Sequence, residues 1–417
     1  GMALTASCTP EWEYDMIPVT SGSGPDEGPE AGRDISTDTR KVLLLYSAGF
    51  NSISSYLKED IEDLSKGWVP RQRRNEDVIL VYSHQPYSRG QYSKKTSPVL
   101  FRLYSTSEGV VVRDTLAVYE PGTISASAPQ LRDVLSYVKD EFPAKSYGLI
   151  FSSHATGYLP SGFYSKPDGY IFSESMMRRK GLDRPAAPVP VPYMEPEQNP
   201  GLPAVKSVGQ DVDGSLSYEM DIRDFADAIP MKLDYILFDA CLMGGIEVAY
   251  ELAGKCDKVG FSQAEVLAEG FNYTTLASHL LGNKLSSDPY SVCEDYFTQY
   301  DIQSGVYRSA TISLIDCNSL EPLAQTCRDL FDKYHEQIQS IDPNLVQRFY
   351  RSSRHWFYDL QSIMENAGMT SDEKEELEAA LVQLDGGIAP LETTREQTLE
   401  QAIEQTEAAA SEENFFE

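Results

Sequence analysis

The sequence predicts an α/β fold: a mostly parallel central sheet between layers of helices, with a helical C-terminal extension. Three observations carry this expectation. Short runs that are apolar on both faces alternate with longer segments of helical spacing, the pattern of parallel strands joined by crossover helices. The 417 residues have room for one large α/β domain with appendages, or for two or three smaller domains. At 41% hydrophobic and 11% aromatic, the chain has enough apolar surface for a real core, which excludes wholesale disorder.

In chain order, residues 1–38 read as a flexible leader, because SGSGPDEGPEAG at 21–32 has no periodicity. Strands are predicted over 41–46, 78–82, 99–104, 147–152, 234–238, 257–262 and 310–315. Apolar on both faces, they suit a sheet covered on each side. Helices are predicted over 52–65, 128–141, 221–229, 244–254, 287–300 and 319–338. Between 155 and 217 this rhythm breaks. A Pro/Gly-rich insert over 160–217 is too long for an ordinary connection and carries the basic cluster Arg178-Arg179-Lys180. One α/β domain is therefore expected over 39–340, and a helical extension with an acidic tail over 341–417. Residues 371–417 hold 14 acidic and 2 basic side chains.

Charge and motif content narrow the function. With 35 basic and 64 acidic side chains the net charge is −29. That argues against nucleic acid as the main partner and favours basic ligands. No stretch approaches the ~20 apolar residues of a membrane span. Six cysteines without a CxxC pair argue against a disulfide framework and a structural zinc site. HExxH, GxSxG, Walker A and GxGxxG are absent, which sets aside zincins, α/β-hydrolases with the usual elbow, P-loop enzymes and Rossmann dehydrogenases.

Two strand ends carry chemistry. YGLIFSSHATGY stops at His154 and DYILFDACLMGG stops at Cys241, each reactive residue following an apolar strand and a polar residue and preceding small ones. Ligands and chemistry sit at the carboxyl ends of parallel strands. If the two strands are neighbours, the residues form a Cys/His pair for nucleophilic catalysis. A helix start after Cys241 would favour its thiolate. His154 would hand a proton to the leaving amine. Backbone N–H groups at Ala155, Gly157 and Cys241 would form an oxyanion hole. The competing structural reading is a cysteine acting as a small buried hydrophobe and a histidine satisfied at a strand end.

SSHATG and FDACLMG, with GFSQAEVLAEGFNY after them, resemble the motifs of the clostripain family of cysteine peptidases (family C11, clan CD). KVLLLYSAGFNSISSYLKEDIEDL near the start and FYDLQSIMENAG at 357–368 also resemble that family, so the likeness spans roughly 40–370. The resemblance implies a caspase-like α/β/α sandwich, His154 and Cys241 as the catalytic dyad, and cleavage after Arg or Lys through a thioester. Asp239, two residues before Cys241, resembles the family's S1 determinant; its carboxylate would pair with a P1 guanidinium or ammonium. The rival reading makes Asp239 the cap of the helix after Cys241. Ser262, Gln263 and Glu265 resemble the stretch that lines S1, with a solvated loop acid the alternative for Glu265. His84 reads as a surface polar residue.

The family usually has glycine where this chain has Ala155, which bears on the oxyanion hole. Self-cleavage between the two motifs is a family trait, and Arg178, Arg179 and Lys180 are the candidate processing site, unless they are solvated loop charges. Calcium supports some members. Here Asp211-Val212-Asp213-Gly214 is only a fragment of a calcium loop, so weak calcium binding rests on the carboxylate count alone. Leu4-Thr5-Ala6-Ser7-Cys8 resembles the end of a bacterial lipoprotein signal. It raises the expectation of a lipid anchor at Cys8 and export to a bacterial surface, the periplasm or the medium; the alternative is an incidental cysteine. Two rival functions remain open: a catalytically silent binding protein on the same fold, and a cysteine peptidase of non-basic specificity.

Overall fold

The computed structural model describes residues 41–386 apart from 74–75, 89, 159–206, 214–215, 283–285, 309 and 350–356. The leader with Cys8, the cluster Arg178-Arg179-Lys180 and the tail beyond 386 lie outside the described residues.

An eight-stranded sheet runs through the centre in the order β11-β10-β9-β5-β1-β2-β3-β4. Its strands are β1 (Lys41–Ala48), β2 (Val78–His84), β3 (Val99–Ser105), β4 (Val111–Val118), β5 (Ser146–Ser152), β9 (Leu233–Asp239), β10 (Cys256–Phe261) and β11 (Ser313–Asp316). The five strands β10, β9, β5, β1 and β2 are mutually parallel. The outer strands β3, β4 and β11 pair antiparallel, which refines the expectation of a parallel sheet at its two edges. β4 escaped the sequence reading because Arg113, Asp114 and Thr115 interrupt its apolar run; it is the edge strand and only partly covered.

Helices cover both faces. On one side pack α1 (Ser54–Lys66), α5 (Tyr273–Leu280) and α6 (Pro289–Asp301); on the other α2 (Ala128–Glu141), α3 (Ile222–Ala228), α4 (Ile246–Glu251) and α7 (Leu320–Ser340). Strand alternation divides the core accordingly. Tyr235 and Leu237 of β9 face the first layer, while Ile236 and Phe238 face the second. There Phe238, Phe151 and Phe225 form an aromatic cluster with centroids 5.3–6.3 Å apart. α5 was not read from sequence, since YTTLASHL is short and rich in β-branched threonine at its start.

Beyond α7, the helices α8 (Leu360–Asn366) and α9 (Ser371–Val382) place Met364, Ala367, Leu377 and Ala380 in the same core. The chain then returns to the sheet edge, where Gly386 N donates to Leu314 O. α9 starts with a capping box in which Thr370 and Glu373 satisfy each other's backbone N–H.

The segment expected to be an insert over 160–217 ends in ordered structure. β7 (Ser207–Asp213) and β8 (Leu216–Asp221) form a hairpin joined to β6 (Ala155–Gly157), so Ser207 pairs with Gly157 across the undescribed residues. The Pro/Gly-rich neighbourhood hid these strands.

Candidate active site

β1 is followed in the chain by β2 on one side and β5 on the other, so the chain direction switches at the β1/β5 boundary. The carboxyl ends of β1, β5 and β9 converge there. β5 and β9 are adjacent with Ser152 opposite Asp239, and the ladder continues one step further through Ser153 N to Asp239 O, 3.3 Å. His154 and Cys241 each lie two residues beyond that pair, on neighbouring strand ends.

The two loops are in van der Waals contact. Gly157 has φ +59°, and a Cβ there would overlap the Leu242 carbonyl. Leu242 itself has φ +64°, the one non-glycine with positive φ among the described residues. A branched side chain in the left-handed region marks a strained turn, and this one directly follows Cys241. Two backbone bonds hold the turn on the loop after β10: Leu242 N to Ala264 O, 3.0 Å, and Gly244 N to Ser262 O, 2.7 Å. Gly157→Ala is expected to cost at least ~1–2 kcal/mol from the left-handed backbone alone, with the overlap adding to it. The urea midpoint should fall accordingly, and Ala155→Gly should lower it too, by about 0.5–1 kcal/mol of stability, since a buried strand methyl is lost and the backbone is freed. Ala155 lies in extended strand without a positive φ, so a side chain is accommodated there.

Cys241 is partly exposed, its sulfur 3.3 Å from Val266 N and 3.6 Å from Val266 O. Of the other described cysteines, Cys256, Cys293 and Cys317 are buried and Cys327 is partly exposed. Cys256 and Cys317 are buried against each other with sulfurs 3.6 Å apart. Burial pushes the Cys293 thiol up to about 12 and that of Cys327 up to about 11. The helix after Cys241 begins only at Ile246, is six residues long and is capped by Gly245. The expected helix-dipole assistance to the thiolate is therefore not supplied by this helix, and Asp239 caps no helix.

His154 is half-buried, and desolvation lowers its pKa to about 4, so the imidazole is neutral at pH 7. Its Nε2 lies 2.9 Å from Ser52 Oγ on the loop after β1, and its carbonyl accepts from Gly209 N on β7 at 2.9 Å.

Asp239 is 7% exposed and accepts from the Tyr273 hydroxyl at 2.7 Å. Burial raises its pKa to about 6, with the hydrogen bonds from Tyr273 and Phe271 N opposing the rise. Gly270, at φ +58°, packs its backbone on that carboxylate, where a Cβ would not fit. Asp239 and Cys241 thus both contact the 262–273 segment.

Sequence reasoning missed Asp60 of α1. Its carboxyl is buried, its Oδ2 has no hydrogen-bond partner, and burial followed by the Asp239 charge holds its pKa well above the usual range. The charge of Glu269 acts on it in the same direction. A signal was available: Asp60 interrupts the buried stripe Leu57, Ile61, Leu64 of an otherwise amphipathic helix.

Of the other predicted residues, Ser262 is fully buried, with its hydroxyl on Ala264 and on Thr311 Oγ1 at 2.8 Å. Gln263 is 8% exposed with an unpartnered Oε1, and Glu265 is partly exposed on the same loop. His84 is not a surface residue. It is 2% exposed, stacked on Phe50 and hydrogen-bonded through Nδ1 to Ser125 Oγ at 2.7 Å, because the loop after β1 folds over the end of β2. Asp211 turns inward to the amides of Ser125 and Ala126. Among the described residues no group of three or more His, Cys, Asp and Glu could hold a metal ion.

The sequence profile of the Clostripain family matches residues 194–415. The match takes in Cys241 and Asp239, leaves out His154, and reaches further into the acidic tail than the motifs did. An inactive zymogen C11 protease from Parabacteroides distasonis is 24% identical, with 84% of each chain covered and a TM-score of 0.61. A secreted C11 cysteine protease from Bacteroides thetaiotaomicron, solved with an irreversible peptide inhibitor, is 24% identical over 83% of each chain, at 0.60. A further structure of a secreted C11 protease from that organism is 20% identical, covering 89% of this chain and 85% of the other, at 0.56. At these identities the likeness establishes the fold, a C11 caspase-like architecture. No curated protein matches the chain.

Proposed function

Because the chain belongs to the clostripain family of cysteine peptidases, we propose that it is an endopeptidase cleaving after arginine or lysine, with Cys241 as nucleophile and His154 as proton carrier. The observation that carries this reading is the convergence of the two loops at the β5/β9 edge, with a buried carboxylate, Asp239, beside the nucleophile.

In this mechanism His154, neutral at rest, takes the Cys241 proton as the sulfur attacks the scissile carbonyl. Backbone N–H groups of the Ala155–Gly157 segment and of Cys241 stabilise the oxyanion, where one donor is worth about 10²–10³ in kcat. The imidazolium protonates the leaving amine, a thioester remains on Cys241, and water releases the second product. The P1 cation pairs with Asp239, with Asp60 behind it and Gln263 and Glu265 along the pocket wall. Bringing a cation to two closely placed buried carboxylates relieves their mutual repulsion, which a neutral P1 side chain cannot do. Self-cleavage at Arg178, Arg179 or Lys180 would cut the chain between the two motifs. The β6–β7 pairing and the β5–β9 ladder would then hold the pieces together. Export, with a lipid anchor at Cys8, belongs to the same reading; no described helix is long and apolar enough to cross a membrane.

The test is a panel of matched fluorogenic peptides ending in Arg, Lys, Asp or Ala, with and without calcium, followed over pH. With Asp239 titrating at about 6, protonation removes its charge as the pH falls. Below that pH, kcat/KM for Arg and Lys should fall toward tenfold per unit, beyond any fall seen for an Ala substrate. Identical profiles for charged and neutral P1 would remove Asp239 from the recognition of charge.

A further inference from the structure

We infer that Ser52 is the positioning residue of His154: its hydroxyl accepts from Nε2–H, fixes the ring and assigns proton exchange with Cys241 to Nδ1. This rests on the reading of His154 and Cys241 as the dyad. Ser52 is exposed, yet its Oγ stands 2.9 Å from His154 Nε2 across 102 residues of sequence. The site lies at the switch point of the sheet, where the loops after β1 and β5 face each other.

A serine on a flexible loop would be a poor orienter, and its neighbour removes that freedom. Asn51 is fully buried. Its Nδ2 donates to Ala48 O at 2.9 Å, to Gln210 O at 2.9 Å and to Ser153 Oγ at 3.3 Å, while its Oδ1 accepts from Ile53 N at 3.1 Å. Ser153 Oγ in turn donates to Ala48 O at 2.8 Å and accepts from Gln210 N at 3.1 Å. One buried amide therefore ties the residue before Ser52 to the residue before His154, and both to β7. A buried polar network of this kind sets one geometry, because breaking any member leaves unpaired groups. Ser52 and His154 are consecutive to its two anchors and keep a fixed relation.

The chemistry requires such a partner. Desolvation disfavours the imidazolium, and the catalytic cycle has to form it. A hydroxyl that accepts from Nε2–H stabilises the tautomer whose Nδ1 lone pair takes the thiol proton. It stabilises the imidazolium too, since that bond persists when both nitrogens are protonated. This is the role a carboxylate has in Ser-His-Asp triads, performed by a neutral and weaker acceptor.

Ser52→Ala, Ser52→Thr and Cys241→Ala are compared with wild type in the full chain. Two readouts are taken: hydrolysis of the Arg peptide, and site-resolved alkylation of Cys241 by iodoacetamide at pH 7. Ser52→Ala should lower kcat by about 10-fold to 100-fold, the range for losing one hydrogen bond to a group that becomes charged, with KM unchanged. It should slow Cys241 alkylation in the same direction, and Ser52→Thr should restore both. Wild-type kcat and alkylation in Ser52→Ala would overturn the assignment, as would a change in KM alone. Hydrolysis that survives in Cys241→Ala would instead overturn the dyad, a distinct result. Where the chain turns over no peptide, alkylation alone decides the role of Ser52.

Discussion

Replacing Cys241 with alanine is expected to abolish hydrolysis of every peptide in the panel, by at least about 10⁴-fold, because without the sulfur no thioester can form. The substitution removes one partly exposed atom and its contacts with Val266 from a turn held by backbone bonds to Ala264 and Ser262, so the chain should still fold with a thermal midpoint close to that of wild type. The same variant reports on processing. Wild type should nick itself near 178–181 and the alanine variant should stay whole, as seen on a denaturing gel. An equal nick in both would trace the cut to another protease. Undiminished hydrolysis in Cys241→Ala would point to a contaminant or to a different nucleophile.

Asp239→Asn is expected to cost Arg and Lys cleavage about 3 kcal/mol of transition-state binding, about 150-fold in kcat/KM, and Ala cleavage far less. Asparagine keeps the shape but offers one acceptor oxygen where the carboxylate accepts from both Tyr273 and Phe271 N, so the charge is isolated by the excess loss over the Ala-ended peptide, which shares any structural effect. The Asp60 carboxyl, which feels the Asp239 charge, is retained in this variant, so some preference for basic P1 should survive. Equal losses across the panel would make Asp239 a support for the Cys241 turn.

How much of this was readable from the chain depends on where each interaction lies. Strands such as VILVYSH and YGLIFSS declare themselves because the residues that bury them sit in their own alternation. Helices with a full apolar stripe are found to within three residues at either end, and 128–141 coincides with α2 at both ends. The placement of His154 and Cys241 at neighbouring strand ends was legible because strand, polar residue, reactive residue and small residues follow one another in a few positions. The failures are relations across distance. His84 looks like a surface histidine until Phe50 and Ser125, from separate loops, close over it. The hairpin after the insert has no local signal, as its partner β6 is three residues long and lies 50 residues upstream. Ser52 and Asn51 were part of a quoted run, but the contact that makes them matter spans 102 residues. The helix expected directly after Cys241 fails for the opposite reason. Small, flexible Gly244 and Gly245 let the chain stay in a turn until Ile246.

The decisive test of Cys241 as nucleophile is where an Arg-ended peptidyl acyloxymethyl ketone attaches. The intact chain, and a sample first nicked lightly with trypsin, are each incubated with the reagent and mapped by peptide mass spectrometry. One adduct is expected, on Cys241, that is lost in His154→Ala and reduced in Asp239→Asn. Attachment to a different cysteine, or no adduct in either folded sample, would contradict that role.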